Sequence, residues 1–392
     1  MANNDPLTAE GLARFDEVAA GHVAGGGMPG VVALVSRGEQ VHVTTAGSLS
    51  IGGPPVRRDS LFRIASTTKP ITGAATLALV GEGRLGLDDP IDRWLPELAS
   101  PKVLRRMDGP LDDVVPAERP ITVRHLLTFT MGFGMIVDMF MAPEPWPIVA
   151  AANERHLGTL GPPAPDEQAD PDTWIGALGS LPLMDQPGQR WLYNTGASVL
   201  GVLLARVAGE PFPQVLHSRV FEQLGMSDTG FWAPDRDRLA TAYLPTPDGL
   251  QVWDRPDGQW SRPPAFGDGA AGLVSTVDDL LALARMLLGG GAPVLAPDMV
   301  ARMTSDQLTA EQKARDIKGF LAGRSWGFCQ SVITEGPYAG AYGWDGGLGT
   351  SWLVDPARDL VVVVLTQRLF EAAQAPAVHA DLQSAALAAA GG

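Results

Sequence analysis

Apolar residues recur at helical spacing early in the chain, at Leu12, Phe15, Val18, Ala19 and Val23, and Gly25-Gly26-Gly27 closes the run. This predicts an amphipathic helix over residues 8–24. Two apolar, β-branched runs follow at 31–36 and 41–45, and Arg37-Gly38-Glu39 between them predicts a hairpin. Residues 61–65 form a short apolar approach to Ser66. From 67 to 82 the pattern turns helical, with Pro70 in the tolerated first turn and Gly81 and Gly83 marking the end. In the last third, Ser275-Thr276 caps a predicted helix over 277–288. Segments 326–333, 351–354 and 360–366 read as strands. The run Val361-Val362-Val363-Val364 has no polar alternation, which predicts a central strand covered on both faces. A final amphipathic helix is predicted over 370–390.

Between residues 88 and 270 the chain becomes rich in proline, aspartate and tryptophan, with helical islands at 123–128, 172–179, 196–208 and 212–224. Residues 166–172 read as a surface loop, and no segment repeats at a fixed period. A chain of 392 residues exceeds one ordinary core and implies two packed lobes or one elaborated domain. The pattern predicts an α/β lobe from residues 1–87 and 271–392, with 88–270 inserted as a helical, loop-rich lobe.

Composition narrows the possible functions. With 45% hydrophobic and 19% charged residues the chain is globular in character. A net charge of −15 weighs against nucleic acid or anionic membranes as partners. Cys329 is the single cysteine, so no intrachain disulfide or cysteine metal cage can form. The six histidines show no HExxH or paired spacing, and neither metal nor cofactor is expected. The start, Met1-Ala2-Asn3-Asn4-Asp5, lacks the pattern of a secretory signal, and no window approaches ~18 uninterrupted apolar residues. The reading is cytoplasmic, with oligomeric state left open.

The candidate chemistry begins at Ser66-Thr67-Thr68-Lys69. A serine hydroxyl needs a base within hydrogen-bond reach to attack an acyl group. Positions i and i+3 of a helix share a face about 5–6 Å apart, a gap a lysine side chain spans. Of the four lysines (Lys69, Lys102, Lys313, Lys318), only Lys69 has a serine three positions before it. Tyr193-Asn194-Thr195 and Trp344-Asp345-Gly346-Gly347 follow in order. This order and spacing resemble the serine β-lactamase and penicillin-binding-protein superfamily, in the branch of class C β-lactamases, D-alanyl-D-alanine peptidases and related carboxylesterases and transesterases. Further matching phrases are Ile121 to Thr128, Leu224-Gly225-Met226 and Ala271 to Thr276. The resemblance runs from about residue 8 to 385. It implies an α+β, β-lactamase/transpeptidase-like fold: an antiparallel sheet flanked by helices, plus an inserted mostly helical lobe. It also implies Ser66 as acylated nucleophile, Lys69 and Tyr193 as its proton relay, and the backbone N–H groups of Ser66 and Gly347 as oxyanion hole.

Departures from the family pattern bear on substrate. Thr195 replaces the usual asparagine, and Trp344-Asp345-Gly346 replaces a Lys-Thr-Gly or His-Thr-Gly phrase. Tryptophan cannot pair with the carboxylate that β-lactams and peptidyl-D-alanine carry, and Asp345 is expected to repel it. Trp344, Asp345, Gly346 and Thr195 are therefore expected to contact a small-molecule ester. The expected function is a carboxylesterase acting on short- or medium-chain esters. The alternatives are a β-lactamase or D-alanyl-D-alanine peptidase, a transesterase acting on a small-molecule alcohol, and a catalytically dead binding module. His125 is expected to satisfy a buried hydrogen bond, and Cys329 to sit in the core of an apolar strand. Trp146, Trp174, Trp191, Trp232, Trp253 and Trp260 are expected either to line a cleft or to staple the loops. Gly323-Arg324-Ser325-Trp326-Gly327 fits a G-x-S-x-G elbow, with Asp345 or Asp355 and then His379 in order. A strand rather than a helix is predicted after it, and that argues against an elbow.

Overall fold

The computed structural model describes residues 6–315, 321–372 and 375–391; Met1 to Asp5, Lys318 and part of the predicted last helix at 373–374 lie outside them. Two strands from the start of the chain, β1 (Gly30–Arg37) and β2 (Gln40–Gly47), form the expected hairpin. Five more come from its last quarter: β3 (Arg324–Trp326), β4 (Ser331–Ile333), β5 (Tyr342–Gly346), β6 (Thr350–Asp355) and β7 (Leu360–Thr366). They make one antiparallel sheet in the order β2-β1-β7-β6-β5-β4-β3. The two ends of the chain meet in the β1–β7 pair, in register from Val31 opposite Thr366 to Arg37 opposite Leu360.

Side chains of these strands alternate between two apolar layers, as the pleat requires. Val31, Ala33, Val35, Val362 and Val364 pack beneath α1 (Ala9–Ala24) and the terminal helix α5 (Ala377–Ala389). Val32, Leu34, Val361, Val363 and Leu365 face the other way, toward α2 (Thr68–Gly81) and α4 (Val277–Leu288). The valine run of β7 is thus buried on both faces even though its sheet is antiparallel. Trp352 ties the second layer, its Nε1 donating to Leu280 O of α4 at 3.0 Å.

Residues 88–270 contribute helices, short hairpins and loops. Their central helix α3 (Thr195–Ala208) is buried along most of its length and packs on α2. One apolar cluster runs from Val32 and Leu34 in the sheet through α2 to Leu200 in α3 and Trp174 beyond it, so the core does not part at residue 87. Trp174, in the helix Pro171–Gly179, stacks on Phe266 at 4.8 Å and so joins that helix to a loop. Among the described residues no single helix is long and apolar enough to cross a membrane.

The structure corrects several expected elements. Segment 326–333 is not one strand: it divides into β3 and β4 around Cys329, which takes φ +59° and donates its N–H to Leu127 O at 2.9 Å. Gly327 allows this turn, since a Cβ there would lie 2.2 Å from Met303 O. The last helix begins at Ala377, not 370, because Pro376 sets its N-cap. Phe370 N instead donates to Gly347 O at 2.9 Å. Strand β5 and the hairpin Ala242–Thr246 with Gly249–Asp254 were not expected as strands. Residues 166–172 do form a loop, but it ends where Asp170 caps the helix Pro171–Gly179.

Candidate active site

Ser66 stands where a short strand meets a helix, and several bonds hold that junction. Phe62–Arg63 pairs with Val274–Ser275. Ile64 N donates to Leu273 O at 2.9 Å, and Thr350 Oγ1 donates to Ile64 O at 3.0 Å. Ala65 is forced to φ +43°, a left-handed backbone that costs an alanine on the order of 1–3 kcal/mol and persists only when neighbours over-determine it. Ser66 follows in a 3-10 turn (Ala65–Thr67) that feeds α2, and it keeps partial solvent access. It is not the helix cap; Thr67 occupies that position.

Lys69, one turn on, has no solvent exposure. Its Nζ lies 2.8 Å from Ser66 Oγ and 2.9 Å from Ala270 O, and 4.5 Å from the centroid of the Tyr193 ring. Burial disfavours the ammonium and lowers the Lys69 pKa to about 7, against an opposing pull from Asp268. A lysine so placed is a free amine in a large share of molecules near neutrality, and a free amine can take the serine proton.

Tyr193 reaches the same point from the loop before α3. Its backbone pairs both ways with Met135, at 2.8 Å in each direction. Asn194 then turns the chain at φ +85°, braced by its Nδ2 donating to Thr159 O at 2.9 Å. The Tyr193 hydroxyl hydrogen-bonds Ser66 and accepts from Trp344 Nε1 at 2.7 Å. Burial pushes the phenol well above its usual range, so Tyr193 is neutral. Trp191 stacks on it at 5.5 Å, with Phe129, Trp326 and Trp344 closing the aromatic surround.

The other expected site residues divide. Strand β5 sends Trp344 to the layer of Trp352, on the side of α2, and Asp345 to the opposite face beside Ser351. Asp345 accepts from Ser351 Oγ at 2.7 Å and pairs with Arg324 at 3.5 Å. The expectation that Asp345 contacts or repels substrate is corrected: strand alternation turns it away from Ser66. Gly346 is where the strand end touches the nucleophile junction, since a Cβ there would lie 2.2 Å from Ile64 O. Its part is close approach. At Gly347 a Cβ would meet nothing within 4 Å, and among the described residues none accepts its N–H, so that amide is available to a developing oxyanion. Thr195 is buried, and its hydroxyl accepts from Thr159 Oγ1 at 3.0 Å rather than holding Lys69.

His125 accepts Thr122 N–H at Nδ1 in a capping box, and burial lowers its pKa to about 4. Cys329 is buried, in a turn rather than a strand. Ser325 of the G-x-S-x-G phrase lies buried in β3 with its hydroxyl on Asp306, and no helix follows it. Sequence reasoning missed two groups. The indole donor of Trp344 is one. The other is Asp268, a buried carboxylate whose only local signal is an acidic residue inside the apolar, glycine-rich run Gly267 to Gly272.

Comparison with known proteins places this arrangement. Residues 15–386 match the Beta-lactamase family, and the chain belongs to it. Esterase EstB of Burkholderia gladioli is 31% identical over 374 residues, covering 88% of each chain. Protein Rv1367c of Mycobacterium tuberculosis is 40% identical over 362 residues, covering 87% of this chain and 86% of that one. Among solved structures, EstCE1, described as a hydrolase with promiscuous acyltransferase activity, superposes with TM-score 0.81 at 27% identity, over 96% of this chain and 98% of that one. The chain is thus a serine hydrolase of the Beta-lactamase family.

Proposed function

We propose that this enzyme is a carboxylesterase for short- and medium-chain esters, working through an acyl-enzyme on Ser66. Ser66 Oγ attacks the ester carbonyl while its proton passes to Lys69 Nζ, 2.8 Å away. The Ser66 and Gly347 amides receive the oxyanion. The carbonyl–alkoxide bond then breaks, and the departing alkoxide takes a proton through the Tyr193 hydroxyl. Water repeats the sequence on the acyl-enzyme, releases the acid and restores Ser66.

The observation that carries the ester assignment is the 2.7 Å bond from Trp344 Nε1 to Tyr193 Oη. An indole fills the place where a cation would read a carboxylate, and it is committed to the tyrosine. The relationship to Esterase EstB supports the same choice. Parallel assays of p-nitrophenyl butyrate and a chromogenic cephalosporin, on wild type and Ser66→Ala, test it. Ester turnover lost in the variant, with little cephalosporin cleavage, is expected; efficient cephalosporin turnover would overturn the reading of Trp344. The acyltransferase activity described for EstCE1 favours a second outcome of the same acyl-enzyme, transfer to an alcohol. Ester products formed on adding a small alcohol to the assay would reveal it.

A further inference from the structure

The mechanism leaves a buried carboxylate unused. Asp268 is 4% exposed, in the loop that runs between α2 and α3. Gly269 beside it fits so closely that a Cβ would lie 2.6 Å from Ala197 O, and Thr72 Oγ1 of α2 donates to Gly269 O at 2.7 Å. Within this clamp Asp268 Oδ1 accepts Ser198 Oγ at 2.7 Å and Ala270 N at 2.9 Å. The carbonyl of the same residue, in the next peptide group along, accepts from Lys69 Nζ at 2.9 Å. Asp268, Ala270 and Lys69 are thus linked by successive hydrogen bonds.

The groups bearing on Lys69 come from four elements. Ser66 lies on its own helix turn, Tyr193 before α3, Cys329 in the β3–β4 turn and Asp268 in the clamped loop. Asp345, on β5, acts on Tyr193 rather than on Lys69. Burial pushes the Tyr193 phenol and the Cys329 thiol upward, so both are neutral near pH 7. Among the described residues Asp268 is therefore the carboxyl group set against Lys69. Burial raises the Asp268 pKa, and the hydrogen bonds from Ala270 and Ser198 and the charge of Lys69 oppose that rise. An amide oxygen would accept the bonds from Ser198 and Ala270 without the charge.

We propose that Asp268 is a positioning residue for Lys69: its carboxyl group fixes Ala270, whose carbonyl holds Nζ, and it is the acidic group that faces the amine through that residue. This rests on the acyl-enzyme reading of Ser66. It predicts two separable effects, one on geometry and one on the pH at which the base becomes available.

The test is the rate of fluorophosphonate labelling against pH, for wild type, Ser66→Ala, Asp268→Asn, Asp268→Ser and Asp268→Ala. Asparagine keeps an acceptor oxygen and removes the charge, as does the shorter serine, so either variant that folds suffices. The acidic limb of labelling is expected to move to lower pH by about one unit in both, because an opposite charge no longer stabilises the ammonium. Asp268→Ala also releases the Ala270 peptide and is expected to slow labelling about tenfold or more at every pH. A limb that coincides with wild type in Asp268→Asn and Asp268→Ser overturns the proposal alone. Wild-type labelling that survives Ser66→Ala overturns the acyl-enzyme reading and the proposal with it.

Discussion

Lys69 carries a fully buried amine, and its depressed pKa of about 7 links activity to stability. Acylation needs the neutral amine, so kcat/KM for an ester should rise through pH 7 and level above it, while Tyr193 stays neutral throughout. Stability shifts over the same range. The unfolded lysine keeps its proton up to its ordinary 10.5 and the folded one only to about 7, so between these values the unfolded chain binds more protons and stability rises with pH. Below pH 7 the cost of burying the charge is present in full. Lys69→Met should therefore abolish ester turnover. The melting temperature of that variant minus that of wild type should be most positive below pH 7 and shrink toward pH 10; a difference independent of pH would mean Lys69 is not depressed. Trp344→Phe removes the donor to Tyr193 Oη while keeping an aromatic ring at the position. It should lower kcat about tenfold to a hundredfold with KM little changed, a single hydrogen bond to a proton-relay group being worth that much. At this scale the pairing of Ser66 with Lys69 was legible from their spacing of three, and the approach of Tyr193 to them only from the family resemblance. The outward turn of Asp345 and the burial of Asp268 were not, since one depends on strand alternation and the other on how two distant helices clamp a loop.

Strand β5 shows what an element adds to its residues. It carries Trp344 to Tyr193 and lays Gly346 against Ile64, so one strand braces both Tyr193 and the junction before Ser66. Adjacent glycines there should respond differently to alanine. In Gly346→Ala the new Cβ would meet Ile64 O at 2.2 Å, and β5 must withdraw from the nucleophile junction. A loss of more than about 2 kcal/mol in urea unfolding is expected, with ester turnover falling too. Gly347→Ala meets open space, and its stability should stay within about 0.5 kcal/mol of wild type. Equal destabilisation of the two would show that β5 does not rest on the junction as described. The same strand was invisible in the sequence, because Gly343 and Gly346 interrupt its apolar pattern. The helix Val277–Leu288 was legible to the residue because its cap and its 3.6 period agree. The split of 326–333 was hidden because Cys329 adopts a backbone that its residue type does not suggest.

At the scale of the molecule, the first and last parts of the chain zip together through β1 and β7, and the middle must fold against what they form. The sheet from both ends was legible in the flanking apolar runs. That the inserted part shares a core with it was not, since no local signal says that α2 will pack on α3 as well as lie under the sheet. The shared apolar cluster, continuous from Val32 through Ala75 to Leu200 and Trp174, has a consequence for unfolding. Separate lobes joined by a polar interface would open independently, each with its own free energy. With one core, opening either part exposes the apolar face of the other. Native-state hydrogen exchange reads this directly: the slowest amides of β7 (Val361 to Val364) and of α3 (Val199 to Leu204) should share one opening free energy, within about 1 kcal/mol, and the same denaturant dependence. If α3 opened several kcal/mol below β7, Lys69 would be held by a loop clamped against a helix that lets go first, and the buried amine would meet water without global unfolding.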